Sequence, residues 1–131
     1  MSQENVEIVR AALDAWNRGD WDAALRDAAS DFEYDLSRAL GPFRGVYGRD
    51  QVQRVWADFT EGLTSAWIEA HEFIEAGEHV VVPWTFHAVG RNGVEVEARV
   101  TWTWTIHDGT IVRVRMYQDR QEALEAAGLR K

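Results

Sequence analysis

A chain of 131 residues, 46% of them hydrophobic, is sized for one domain over residues 1–131 that buries roughly two-thirds of its unfolded surface. Its net charge of −8 argues against nucleic acid or an anionic membrane as a partner, and the lack of cysteine excludes disulfides, thiolate nucleophiles and cysteine-bound metals. No apolar run approaches a membrane span and MSQENVEIVR lacks the basic start of a signal peptide, so the expectation is a soluble, cytoplasmic protein.

In chain order, Val6, Val9, Leu13 and Trp16 recur at helical spacing, with Ser2 placed to cap the start and Gly19 to end the run. Asp20 restarts a shorter helix whose stripe is Trp21, Ala24, Leu25 and Ala28, before SDFEYDL turns to strand alternation. The loop SRALGPFRGVYG carries turn signals at Gly41-Pro42 and Gly48. Val52, Val55, Trp56 and Phe59 then define a third helix, closed by Gly62.

From Ser65 the period is two. It gives the strands SAWIEAHEFIEA, HVVVPWTFHAV, VEVEARVTWTWTIH and TIVRVRMYQ, divided by turns at Ala76-Gly77, Asn92-Gly93 and Asp108-Gly109. Pro83 cannot donate to a ladder and implies a bulge or bend in its strand. The chain ends in DRQEALEAAGLR, where Asp119 and Glu122 have capping-box spacing and Leu124 is the apolar contact. These elements compose an α+β domain: a cone-shaped barrel made by a strongly bent antiparallel sheet, covered by three N-terminal helices, with a short C-terminal helix.

Four stretches, "ALDAWNRGDWDAAL", "VYGRDQVQRVW", "EFIEAGEHVVV" and "WTIHDGTIVRVRMYQDRQEALEAAGL", resemble the nuclear transport factor 2-like superfamily, in its SnoaL-like and ketosteroid-isomerase-like branch. The resemblance runs through nearly the whole chain and is specific for fold, while the superfamily's chemistry varies from member to member. Ketosteroid isomerases would imply a carboxylate base near Asp35, a tyrosine near Ala12 and a protonated acid near Trp102, and the last two are missing. The epoxide-hydrolase pattern Arg-x-Asp is replaced by Arg99-Val100-Thr101. SnoaL-like cyclases imply an aspartic acid in an apolar cavity, a role open to Asp35 or Asp119. Asp119 is better explained as a helix cap.

The resemblance therefore makes Asp35 the candidate general base, its pKa raised by desolvation against Tyr34, Trp56 and Trp102. Alternation nevertheless groups Asp35 with Glu33, opposite Phe32, Tyr34 and Leu36, so a register shift is required. His87, in an apolar strand, is the second catalytic candidate, or else a satisfied core or interface residue. His107 reads as a turn residue, and Glu69, Glu72, Glu95 and Glu97 as solvated faces.

The resemblance implies that the stripe of Trp102 and Trp104 points into the cone, with Val112, Val114, Met116 and Gln118 beside it if the two strands alternate together. It either fills an ordinary core or lines a cavity. The expected pocket combines Trp16, Tyr34, Trp56, Phe59, Trp84, Trp102, Trp104, Val114, Met116 and Gln118, with Tyr117 or Gln118 bonding a ligand carbonyl. No cofactor or metal is expected, since no histidine pair has HxH or HExxH spacing. The expected partners are a small apolar molecule and a second copy. The homodimer would form through the outer face that carries Arg99, Thr101, Thr103, Thr105, Arg113 and Arg115. The activity implied is that of an isomerase or cyclase, and the competing reading is a non-catalytic ligand-binding or interaction domain.

Overall fold

The computed structural model of the chain describes residues 2–39 and 43–128; the Gly41-Pro42 turn and the capping side chain of Ser2 lie outside what it describes. Helix α1 (Ser2–Asn17) buries Val6, Val9, Leu13 and Trp16, the stripe its spacing requires. It stops because Gly19 takes φ +82° and lets the Asp20 N–H turn back to the Ala15 carbonyl at 2.9 Å. Asn17 ties the end of α1 to a strand, donating to the Ile68 carbonyl at 3.0 Å and accepting from the Ile68 N–H at 2.8 Å.

Asp20 caps α2 (Trp21–Ala24) by accepting from the Ala23 N–H at 3.1 Å. The helix is a single turn, shorter than its stripe suggested, and Ala28 is the first residue of β1 (Ala28–Asp35). A short strand β2 (Val46–Gly48), hidden in the expected loop, leads into α3 (Arg49–Thr60). There the Gln51 side chain reaches back to accept from the Gly48 N–H at 2.8 Å.

The long meander follows as β3 (Leu63–Ala70), β4 (Ile74–Ala76), β5 (His79–Gly90), β6 (Glu95–His107) and β7 (Thr110–Tyr117). The strand order is β2-β1-β7-β6-β5-β3, with β4 also on β5. Its two ends do not meet, so the sheet curls without closing into a barrel. One pair, β1 with β7, is parallel, which no local pattern announced. The Asp108-Gly109 turn has positive φ at both residues, 50° and 79°, as a two-residue hairpin requires.

Pro83 causes no bulge in its own strand, whose register with β6 runs unbroken from His79 opposite Thr105 to Val89 opposite Glu95. The interruption lies across from it, where β3 ends at Ala70 and β4 begins at Ile74. The Pro83 carbonyl accepts from the His71 N–H at 2.9 Å, and within a strand the N and C=O of one residue face the same side. The missing proline donor therefore faces the gap between β3 and β4.

Helix α4 (Arg120–Ala126) packs on the convex side of β5, β6 and β7, with Leu124 and Ala123 against Val81 and Tyr117. Asp119 caps it by accepting from the Gln121 N–H at 3.1 Å. The expected capping box does not form, since Glu122 pairs with Arg38 at 3.2 Å instead. Thr101 and Thr103 are buried, so the outer face is not the open surface expected for them.

Candidate functional site

Between the concave face of the sheet and α1, α2 and α3 lies a cavity of about 70 Å³, measured as the space open to the centre of a water-sized sphere. By that measure one water needs about 10–15 Å³, so the space holds roughly five to seven waters, the bulk of one substituted six-membered ring. Strand alternation supplies the sheet wall: Trp84 and Phe86 from β5, Trp102 and Trp104 from β6, and Val114 from β7. The helices supply Trp16 and Trp56, and β1 contributes Phe32 and Tyr34. Phe59 lines the cavity while 41% exposed, and so stands at its mouth.

The aromatic rings interlock. Trp84 stacks on Trp102 with centroids 4.0 Å apart, Trp102 meets Trp104 edge-on at 5.6 Å, and Trp56 meets Tyr34 edge-on at 6.0 Å. Burial pushes the Tyr34 phenol above its ordinary pKa, and the hydrogen bond from Trp56 offsets only part of that. Tyr34 is therefore a neutral donor at physiological pH. None of the described residues lining the cavity is an Asp, Glu, His, Lys or Arg. The indole N–H groups of Trp84, Trp102 and Trp104 are buried with no hydrogen-bond partner.

Two expected members fall outside the cavity. Met116 sits opposite Trp102 but packs beside Leu36 and Val55. Gln118 follows the end of β7, is exposed, and donates to the Arg38 carbonyl at 3.2 Å. Tyr117, the other expected carbonyl ligand, is buried on the convex side under α4. Val112 is displaced from the inner row by a bulge between Thr105 and Ile106, which brings Ile111 opposite Ile106 and onto the cavity wall.

Asp35 is not in the cavity. Alternation prevails over the register shift that the resemblance required, and the carboxylate lies on the convex side, 5% exposed. It accepts from the Ser37 N–H at 2.9 Å, the Ser37 hydroxyl at 2.6 Å and Arg115 Nε at 2.7 Å. Burial pushes this carboxyl up, but the bonds from Ser37 and Arg115 outweigh it, leaving the pKa below its ordinary value. That is the opposite of the direction a cavity base needs.

His87 also faces away, on the convex side. Its Nε2 meets Glu69 at 2.8 Å, its Nδ1 meets Glu97 at 3.3 Å, and its ring stacks on Trp67 with centroids 4.4 Å apart. Glu69 and Glu97 are thus tied to a histidine instead of being merely solvated, and the bond from His87 holds the Glu69 carboxyl below its ordinary value. Glu72 pairs with Arg120 at 2.9 Å. His107 ends β6 and contacts Glu78 at 2.7 Å. Among the described residues no three His, Asp or Glu side chains come together as a metal site, and no helix is long and apolar enough to cross a membrane.

The wall also includes Phe86, Phe32 and Ile68, which were not among the residues expected in the pocket, although strand alternation could have found them from their neighbours. Ala12, Leu13, Ala24, Leu25 and Ala28 complete it from the helical side. Nothing distinguishes them in sequence, because small and aliphatic side chains shape a cavity by their volume.

The sequence profile of the family described as SnoaL-like domain matches residues 9–114. Among curated proteins none matches the sequence. Several solved structures share the fold. A nuclear transport factor 2-like protein of unknown function from Burkholderia pseudomallei is 25% identical, with TM-score 0.75, over 93% of this chain and 95% of that one. A candidate polyketide cyclase from Xanthomonas campestris is 25% identical, with TM-score 0.70, over 96% and 98%. TerC, co-crystallised with polyporic acid, is 23% identical, with TM-score 0.79, over 95% and 98%.

Proposed function

The chain belongs to the SnoaL-like domain family, and on that premise we propose that it is a small-molecule-binding protein whose cavity takes a mostly apolar, aromatic compound. The observation that carries this reading is the composition of the wall: five tryptophans, two phenylalanines and one tyrosine around free space, with the exposed ring of Phe59 at the mouth. A packed core would leave no such room.

Carboxylate general acid/base chemistry draws no support from the geometry. Asp35 and His87, its two candidates, face the other side of the sheet, and among the described residues of the wall the only side chain with a titratable proton is Tyr34. Binding without turnover is therefore the reading we favour. The isomerase or cyclase reading is the second one, favoured by the kinship with a candidate polyketide cyclase. It would have to run on neutral donors, with Tyr34 polarising a substrate oxygen.

The test is a panel of single-ring and fused-ring aromatic compounds, followed by tryptophan fluorescence and thermal denaturation. A ligand present at about 100 times its Kd adds about 2.7 kcal/mol to stability. Single-ring compounds are expected to quench fluorescence and raise Tm, and fused-ring compounds to do so more weakly. A panel in which nothing alters either signal contradicts the reading.

A further inference from the structure

Strand β6 outruns its neighbour β7. It begins at Glu95, whereas β7 pairs with it only from Thr101 onward and gives way to α4 after Tyr117. Residues 95–99 are therefore bonded to β5 alone, and every one of them is exposed. The Pro83 carbonyl turns away from β6 to accept from His71, so alternation turns the backbone groups of Trp84, Phe86 and Ala88 toward β6. Their partners Val100, Ala98 and Val96 turn toward β5 in return. The N–H and C=O of Glu95, Glu97 and Arg99 consequently point outward, and none of the described residues bonds them.

A row of unmade backbone bonds is a template for another strand. At β3 the fold interrupts such an edge, because the Asn17 side chain takes both the N–H and the C=O of Ile68. Among the described residues no side chain does this at β6. Apolar surface accompanies the open groups instead, with Val94 54% and Val96 45% exposed. Val96 and Ala98 lie on the concave face of the strand, and Glu95, Glu97 and Arg99 on the convex one.

A second copy fits this edge poorly. In antiparallel pairing, outward-facing residues must meet outward-facing ones, which leaves few registers. With Glu97 opposite its own counterpart, like charges meet. Sliding one copy by two residues sets Glu95 opposite Glu97, and sliding it the other way sets Glu95 opposite Thr101, whose edge Tyr117 already occupies. The net charge of −8 repels another copy and attracts a cation. We propose that the open edge of β6 docks an extended basic segment of a partner polypeptide, added antiparallel to residues 95–99. Cations stand opposite Glu95 and Glu97, an acid stands opposite Arg99, and the apolar side chains between them meet Val96 and Ala98.

The probe is the peptide acetyl-Thr-Asp-Val-Lys-Val-Lys-Thr-amide, titrated into the full chain labelled with nitrogen-15. The backbone N–H signals of Glu95, Glu97 and Arg99 are expected to move downfield and to exchange with solvent more slowly. N-methylation of the first lysine of the peptide, whose N–H faces the edge opposite Glu97, should raise Kd about tenfold. N-methylation of the valine that follows, whose N–H faces away, should raise it far less. The charge-swapped peptide acetyl-Thr-Lys-Val-Glu-Val-Glu-Thr-amide should bind about tenfold more weakly than the probe, and Glu97→Lys should narrow that preference.

If the probe binds while those N–H signals stay in place, it docks elsewhere and the proposal is overturned. Equal affinity for the charge-swapped peptide, or for the peptide methylated at lysine, overturns it as well, and so does the absence of binding at millimolar probe. Slow exchange at Glu95, Glu97 and Arg99 without any peptide, growing with protein concentration, would put a second copy on the edge and overturn it too. The cavity lies apart from this edge, so none of these outcomes bears on ligand binding there.

Discussion

Replacing Asp35 by asparagine distinguishes the role the family resemblance implies from the role the geometry assigns. The carboxylate is 5% exposed and accepts three hydrogen bonds, two from Ser37 and one from Arg115. Asparagine keeps one oxygen for Ser37 but presents an amide donor, or a neutral acceptor, to the guanidinium. The loss is thus one charge-assisted bond in a buried setting, about 1.5–3 kcal/mol. For a domain of this size that corresponds to a fall in Tm of roughly 5–12 °C. The effect has a pH signature. Because the folded-state pKa of Asp35 lies below the unfolded one, its ionised form stabilises the fold above the ordinary carboxylate value of about 4, and that stabilisation is lost as pH falls through the folded pKa. Urea titrations of wild type and Asp35→Asn should differ by the full amount at pH 7 and converge as pH drops below about 4. Ligand affinity in the cavity should be unchanged. A variant with wild-type stability and impaired ligand binding or turnover would refute this and return Asp35 to the site.

Trp104→Ala should cost less than the 3–5 kcal/mol typical of a fully packed tryptophan, because one side of the ring already borders free space; chemical denaturation giving the full penalty would mean a filled core. Asp119→Ala should lose about 1 kcal/mol with the cap of α4 and leave ligand binding intact, checked by denaturation and titration on one sample. We propose that the chain pairs with a second copy through the part of the convex face that α4 leaves open, around Trp67, which is 47% exposed. Sedimentation at micromolar concentration should show a dimer that Trp67→Glu dissociates, and a clean monomer of 15.0 kDa for the wild type would contradict it.

Much of the fold was written in local patterns. Alternation in TWTWTI put Trp102 and Trp104 on one face, and Trp84 joins them because the paired register of β5 and β6 is unbroken over that stretch. The same rule put Asp35 on the outer face, and the error arose where a family analogy was allowed to outweigh it. Other features had no local trace. The bulge at Thr105 and Ile106 exchanges Val112 for Ile111 through backbone geometry alone. The partner that fixes Asp35, Arg115, lies 80 residues away across a parallel pairing of β1 with β7. Pro83 correctly signalled a broken ladder, yet the break fell on the neighbouring strand, a choice set by which way its nitrogen faces.

The central claim, that the space between sheet and helices is a ligand site, is tested most directly by locating a bound probe. Isotope-filtered nuclear Overhauser effects between protonated toluene and the labelled protein report which side chains lie within a few ångströms of it. The account predicts contacts to Trp84, Trp102, Ile111 and Val114, on the sheet side of the cavity wall. Contacts confined to Trp67 and His87 on the convex face, or none at saturating toluene, would contradict it.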